Sequence, residues 1–340
     1  MSHSTALTQA LGIEVPLICG AMYPCSNPEL VAAVSEAGGI GIVQPLSLSY
    51  VHGYEFREGL RYIRSLTDKP IGVNLIIERS SKKYLERVYA WLEIALEEGV
   101  PFLVTALGKP DRVVERASQA GVTVYHDVTN RLYAEKALDA GVDGFICVNN
   151  RAGGHAGELS AAALLDELGP LGKPLVCAGG IGSPDGFSEA IAAGYAGVQL
   201  GTRFIATQEC SAHEDYKQAI INAGADDIVL SEKITGVPVS IIRTPFVARM
   251  GVQAGPIAKW LLRGRRTRHW IRTFYSLQSI WKLKRAAVRG MGYRDIYQAG
   301  KSVDGSHAVL PAADIVRTYA AALAREPAAL QRLEYCLYVV

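Results

Sequence analysis

A histidine directly after two glycines, at the end of an apolar run, is the arrangement in this chain best suited to proton transfer. It stands in Asn149-Asn150-Arg151-Ala152-Gly153-Gly154-His155-Ala156-Gly157. The run before it, Gly144-Phe145-Ile146-Cys147-Val148, reads as a buried strand, and Ala161 to Leu168 after it as a helix. Paired glycines let a flat ligand approach the backbone, because no Cβ stands in the way. An imidazole with an unperturbed pKa near ~6.5 can take or give a proton at neutral pH. A histidine in a glycine-rich loop can also be a polar surface residue, so this loop is weighed with its surroundings.

Two more glycine turns carry chemistry. Ala178-Gly179-Gly180-Ile181-Gly182-Ser183-Pro184 and Gly201-Thr202-Arg203-Phe204 each follow an apolar run and precede a helical segment. Backbone N–H groups at such turns make an anion site suited to a phosphate. Two ordinary turns are the simpler alternative. Asn74 closes the apolar run Ile71 to Leu75. Its amide donates and accepts at once, which suits the pyrimidine edge of an isoalloxazine ring, or it is a turn former.

The elements that must position these residues repeat. Strands are expected at Pro16–Gly20, Ile40–Val43, Ile71–Leu75, Phe102–Thr105, Val122–Tyr125, Phe145–Val148, Pro174–Ala178 and Val198–Leu200. Helices alternate with them, among them Pro28–Ala37 with Asn27 as N-cap, Lys83–Glu97, Asp111–Gln119, Leu132–Ala140 and Asp185–Ala193. Several close on Ala-Gly, as at Gly38, Gly121, Gly141 and Gly194, where glycine supplies the left-handed C′ position. Eight such pairs in about two hundred residues predict an α/β fold, a (β/α)8 TIM barrel. A doubly wound sheet would usually offer Gly-x-Gly-x-x-Gly after an early strand, and none occurs. In a barrel the working residues stand at the C-terminal strand ends. Here these are Ala21-Met22, Asn74, Thr105, His126-Asp127, Asn149 to His155, Gly179-Gly180 and Gly201-Thr202, which suits a flat, polar-edged cofactor at the mouth. The expected division is a barrel over 1–205 joined by a C-terminal helix in 310–340, with a mostly helical, basic cap over 206–309. Within the cap, Glu214–Gly224, Ile257–Leu262 and Trp270–Leu283 read as helices and Ile228–Ser240 as a partly extended connector.

Composition excludes several classes. With 340 residues, 49% hydrophobic and 20% charged, the chain can bury a large core. No apolar run is long enough to span a membrane, and the first ten residues lack the basic start and apolar run of a secretory leader. The six cysteines form no CxxC pair, so no metal site is expected and a reduced, cytoplasmic setting is. Fourteen Lys and Arg residues fall between Lys233 and Arg294 with no Asp or Glu among them, although the net charge is only +2. A pI near 8.1 without a binding motif argues against nucleic acid. The stretch suits a solvated face, a membrane-surface contact through Trp260, Trp270 and Trp281, or an anionic substrate drawn to the mouth. Arg151, of the same sign, is the candidate substrate contact. Aromatics of the cap could serve a homodimer or a substrate channel.

The chain resembles the nitronate monooxygenase (2-nitropropane dioxygenase) family, which includes flavin-dependent enoyl-acyl-carrier-protein reductases. Pro16-Leu17-Ile18 with Ala21-Met22, Gly72-Val73-Asn74-Leu75, Ala152 to Gly157, Ala178-Gly179-Gly180-Ile181 and Gln199 to Phe204 carry the resemblance. Thr235 to Pro238 and Leu310 to Ala313 also match family stretches. The resemblance implies a flavoprotein with non-covalent FMN, held by Ala21, Met22, Asn74, His126, Gly153, Gly154, Ala178, Gly179, Gly180, Gly201 and Thr202. It implies that His155 is the catalytic group acting at the substrate's α-proton, in a monooxygenase that oxidises nitronates or nitroalkanes with oxygen. The alternative is an NAD(P)H-dependent flavin reductase acting on an enoyl thioester or a quinone. The chain departs from the family pattern in three places. Cys19 and Ala21 replace the usual Gln and Pro, His126-Asp127 stands where small residues are usual, and Arg151 replaces a Glu. The last points to a small-molecule substrate that is anionic or an acyl thioester.

Overall fold

A computed structural model describes residues 4–79, 81–232, 238–252 and 296–325. The eight apolar runs form parallel strands β1 (Leu17–Cys19), β2 (Ile40–Val43), β3 (Ile71–Ile77), β4 (Phe102–Leu107), β5 (Thr123–Val128), β6 (Gly144–Val148), β7 (Leu175–Ala178) and β8 (Gly197–Leu200). They close into a barrel in sequence order, β8 pairing with β1 through Ile18 and Gln199. This is the (β/α)8 TIM barrel. Strands buried on both faces explain why the runs are continuously apolar rather than alternating.

Helices α2 (Pro28–Glu36), α3 (Phe56–Leu66), α4 (Lys82–Glu97), α5 (Asp111–Gln119), α6 (Arg131–Leu138), α7 (Ala161–Leu168) and α8 (Pro184–Ala192) follow the first seven strands. Side chains of Ser81, Asn130, Ser160 and Ser183 cap four of them by accepting an N–H three residues on. Asn27 sits at the N-cap of α2 without capping it. Its amide instead donates to Glu29 and the Glu209 carbonyl and accepts from the Ser211 N–H. The glycines expected to close helices, Gly38, Gly121, Gly141 and Gly194, all have positive φ.

Two apolar layers result. Ile18, Ile40, Ile42, Phe102, Val104, Tyr125, Ile146, Val176 and Ala178 fill the lumen. Leu17, Val73, Leu103, Val124, Phe145, Cys147, Cys177 and Val198 face the helices. A helix that the sequence pattern did not announce, α1 (Ala6–Leu11), joins Leu7, Leu11 and Ile13 to the lumen layer and closes its lower end. A Cβ on Gly197 would lie 2.4 Å from Leu7 Cδ2, so β8 has no side chain where the plug enters.

After β8 come α9 (Thr202–Ile205) and α10 (Glu214–Asn222), then β9 (Ile228–Ser231) paired antiparallel with β10 (Val239–Ile242), and α11 (Pro245–Met250). A hairpin thus stands where a connector was expected. Its apolar residues Val239 and Ile241 pack with Val247 and Ile296 in a separate small cluster. The expected helices Ile257–Leu262 and Trp270–Leu283, and most of the basic stretch, lie outside the described residues. The last helix, α12 (Ala312–Leu323), packs on α8 and α2. Its Tyr319 hydroxyl donates to the Gly182 carbonyl at 2.7 Å.

Leu7 is fully buried. Leu7→Ala should lower unfolding free energy by about 2–5 kcal/mol in urea titration. A loss under about 1 kcal/mol would show that the plug is not part of the lumen core.

Candidate active site

The loop after β6 is fixed from three sides. Asn149, fully buried, accepts the Arg151 N–H at Oδ1 (2.8 Å) and donates from Nδ2 to the Gly179 carbonyl (2.9 Å), joining this loop to the turn after β7. Gly154 forms a β-bridge with Ser240 of β10, whose N–H donates to the Gly154 carbonyl at 2.9 Å. The Lys301 N–H donates to the Arg151 carbonyl at 2.9 Å. Gly153 and Gly300 cross closely here. A Cβ on Gly300 would lie 2.6 Å from the Gly153 nitrogen, and one on Gly153 would lie 2.9 Å from the Gly300 nitrogen. Both positions therefore exclude any side chain. The Gly300 N–H donates to Thr202 Oγ1 at 2.9 Å.

His155 projects from this braced loop and is exposed at the surface. Surrounding protein nonetheless reduces its solvation and holds its pKa below that of a free imidazole. Its imidazole therefore takes up a proton less readily than a free one does.

Gly179 and Gly180 have φ of 119° and 75°. A Cβ on Gly179 would lie 2.5 Å from Asn149 Oδ1, and one on Gly180 would lie 2.5 Å from Arg151 Nε. Arg151 thus folds across the Gly180 turn. Met22 packs beside Gly201, its Sδ 3.5 Å from where a Cβ would stand. Arg203, buried, donates to the carbonyls of Ala206 and Ala308, so its charge is spent inside the fold.

Strand parity sorts the remaining candidates. Residues paired across a parallel sheet point to the same face. Asn74 pairs with Val104, a lumen residue, and lies within β3 rather than at its end. Its Oδ1 is buried without a hydrogen-bond partner among the described residues. Asp127 pairs with Ile146 and also faces the lumen, where its Oδ1 is buried and unpartnered in the same sense. His126 pairs with Thr105, next to Leu103 and Val124 of the helix-facing layer. Its Nδ1 lies 2.8 Å from Thr105 Oγ1, which also reaches the Tyr125 carbonyl at 3.2 Å. Burial lowers the His126 pKa to about 4. Parity places this neutral residue outside the lumen and puts Asp127 in the place that the sequence reading gave to His126. Two adjacent polar residues at a strand end leave the parity open in a sequence, whereas pairing with β4 and β6 decides it.

The family model described as nitronate monooxygenase matches residues 4–320. The chain belongs to the nitronate monooxygenase family. It is 31% identical over 244 residues, 72% of this chain and 67% of the relative, to the (3aS,4S,5R,7aS)-5-hydroxy-7a-methyl-1-oxo-octahydro-1H-indene-4-carboxyl-CoA dehydrogenase of Rhodococcus jostii (strain RHA1). It is 30% identical over 295 residues, 74% of this chain and 81% of the relative, to a probable nitronate monooxygenase of Staphylococcus saprophyticus. Among solved structures, FabK from Thermotoga maritima superposes with a TM-score of 0.77 at 28% identity, covering 97% of this chain and 98% of that one. Membership in the nitronate monooxygenase family makes this chain an oxidoreductase. No helix among the described residues is long and apolar enough to cross a membrane, and no group of three metal-ligating side chains occurs among them.

Asp127 is the lumen residue with a distinctive titration. Burial raises its pKa from 3.8 to about 7. A raised carboxyl pKa means that the folded state binds the proton more tightly, so the cost of ionisation appears above about pH 4 and grows to about pH 7. Asp127→Asn should therefore raise the Tm of the flavin-free protein more at pH 8 than at pH 5. Equal effects at both pH values in thermal denaturation would show that the carboxyl is not desolvated.

Proposed function

We propose that this chain is an FMN-dependent oxidoreductase of nitronate monooxygenase type, oxidising nitronates or nitroalkanes with oxygen, with His155 as general base. The observation carrying this reading is the placement of His155 on a loop braced at Asn149, Gly154 and Lys301. A loop so held keeps its base in one place, as proton abstraction at a fixed carbon needs.

The residues fit FMN. Asn74 offers a buried acceptor still lacking a donor, which a flavin N–H would supply. Gly179 and Gly180 pack against Asn149, Ala152 and Arg151 of the loop after β6, and Gly153 of that loop lies beside Thr202, so the three glycine turns are neighbours and their backbone N–H groups would meet a phosphate. Ala21, Met22 and Ala178 supply apolar contact at the rim. The Thr202 hydroxyl already accepts from Gly300, so its contribution is its backbone. When bound, FMN supplies the acceptor for the substrate's electron pair.

The chain's own residues manage the proton. A nitroalkane is acidic at the carbon beside its nitro group, so a single neutral imidazole suffices as base. His155 removes that proton while the barrel mouth holds the carbon against the flavin face. The five described cysteines, Cys19, Cys25, Cys147, Cys177 and Cys210, are buried free thiols, which suits a reducing, cytoplasmic setting. The division into a barrel (1–205, 310–340) and a cap (206–309) belongs to the same reading, the cap bringing β10 to the catalytic loop.

A second reading has specific support. The Rhodococcus relative is named as acting on a carboxyl-CoA, and the fourteen cations between Lys233 and Arg294 suit a phosphate-bearing thioester. The carbonyl of a thioester acidifies its α-carbon as the nitro group does that of a nitroalkane; if an enoyl thioester is reduced, NAD(P)H would supply the electron pair and His155, protonated, would give the α-carbon its proton.

His155→Ala should slow flavin reduction by neutral nitroalkane about 100-fold or more in anaerobic stopped-flow. Pre-formed nitronate, which has already lost the proton, should be slowed much less. Equal losses on both would remove the base role. The thioester reading requires kcat/KM for an acyl-CoA to fall steeply between about 0.05 and 0.5 M salt, because added salt screens the cations. A salt-independent rate would leave the nitronate reading alone.

A further inference from the structure

We propose that Arg151 is the cation of the cofactor site: its guanidinium clamps the FMN phosphate over the Gly179–Gly180 turn, rather than contacting an anionic substrate. This assignment rests on the FMN reading above and gives that site its fixed positive charge.

The geometry is specific to the turn. Arg151 Nε, Cβ and Cδ lie 2.5, 2.7 and 2.8 Å from the point where a Cβ on Gly180 would stand. The side chain therefore lies back along the turn instead of reaching out beside His155. Its backbone is held at both ends, the N–H by Asn149 Oδ1 and the carbonyl by the Lys301 N–H, so this direction is imposed by the fold. Asn149 also donates to the Gly179 carbonyl, which locks the arginine's own backbone to the turn it covers.

The charge has no other use among the described residues. No carboxylate among them lies within 4.0 Å of the Arg151 guanidinium. Arg203, the arginine of the neighbouring turn, is consumed by the Ala206 and Ala308 carbonyls. Neither residue at the end of β5 supplies a positive charge at neutral pH: His126, outside the lumen, has a pKa near 4, and Asp127 is an acid. Arg151 is thus a side chain at this turn, with no carboxylate partner among the described residues, able to oppose the phosphate's negative charge. A planar guanidinium can bind two phosphate oxygens at once, and such charge-assisted bonds are roughly twice as strong as neutral ones.

The test compares FMN with riboflavin, which has the same ring and no phosphate. Flavin-free protein is titrated with each, following quenching of flavin fluorescence. Arg151→Gln should raise the Kd for FMN about 10- to 100-fold and leave the Kd for riboflavin within about twofold. Arg151→Lys, which keeps the charge without the fork, should fall between the two, and the salt dependence of FMN binding should shrink in Arg151→Gln. Equal weakening of both flavins would mean that the loop, and not the charge, was disturbed, and would overturn the assignment. So would an unchanged FMN Kd, with or without a raised KM for an anionic substrate. Wild-type protein that binds riboflavin but gains nothing from the phosphate overturns the clamp alone. Wild-type protein that binds neither flavin overturns the FMN reading as well.

Discussion

Gly153 and Gly300 cross with no room for a side chain on either, and the candidate site depends on that crossing. It lets the segment from Ile296 to Lys301 lie against the loop after β6, where the Lys301 N–H binds the Arg151 carbonyl and the Gly300 N–H binds the Thr202 hydroxyl. From the other side β10 bridges Gly154, and it also bridges Gln298 of the returning segment. The loop bearing His155 is thus a strand-like layer between the barrel and the inserted hairpin. A Cβ at either glycine would meet backbone rather than a yielding side chain, so the layer would have to open.

Electrostatics divide the mouth. Desolvation lowers the pKa of His155, lowers that of His126 to about 4 and raises that of Asp127 to about 7. Asn74 adds an uncharged polar group with an unused acceptor. The positive charge stands apart, on Arg151 at the glycine turn. A ligand with a neutral, polar-edged ring at one end and an anion at the other matches that distribution. FMN has that form.

The barrel was legible in the sequence because each unit repeats the same physics: a doubly buried apolar run, a helical face, and a glycine closing the helix in the left-handed region. The three glycine turns and the histidine were legible as residue types at strand ends. What they touch was not. The Gly153–Gly154 pair looked like space for a ligand, and at least half of its purpose is to admit Gly300 and Ser240, residues about 85 or more positions further along the chain. Arg151 looked like a substrate contact because it adjoins His155, yet its backbone bonds turn it towards Gly180. His126 and Asp127 were indistinguishable without the pairing of β5. The plug helix α1 has only six residues, too few for a periodic pattern, and β9 and β10 are four-residue strands, too short to show a clear alternation.

The account's central claim is that the mouth of this barrel is an FMN site built on the braced loop. A crystal structure of the protein with saturating FMN tests it most directly. The account predicts the pyrimidine edge of the ring within hydrogen-bonding distance of the Asn74 amide, the phosphate at Gly179–Gly180, and His155 over the exposed ring face. Density for FMN at any other place, or a barrel mouth without FMN, would contradict it.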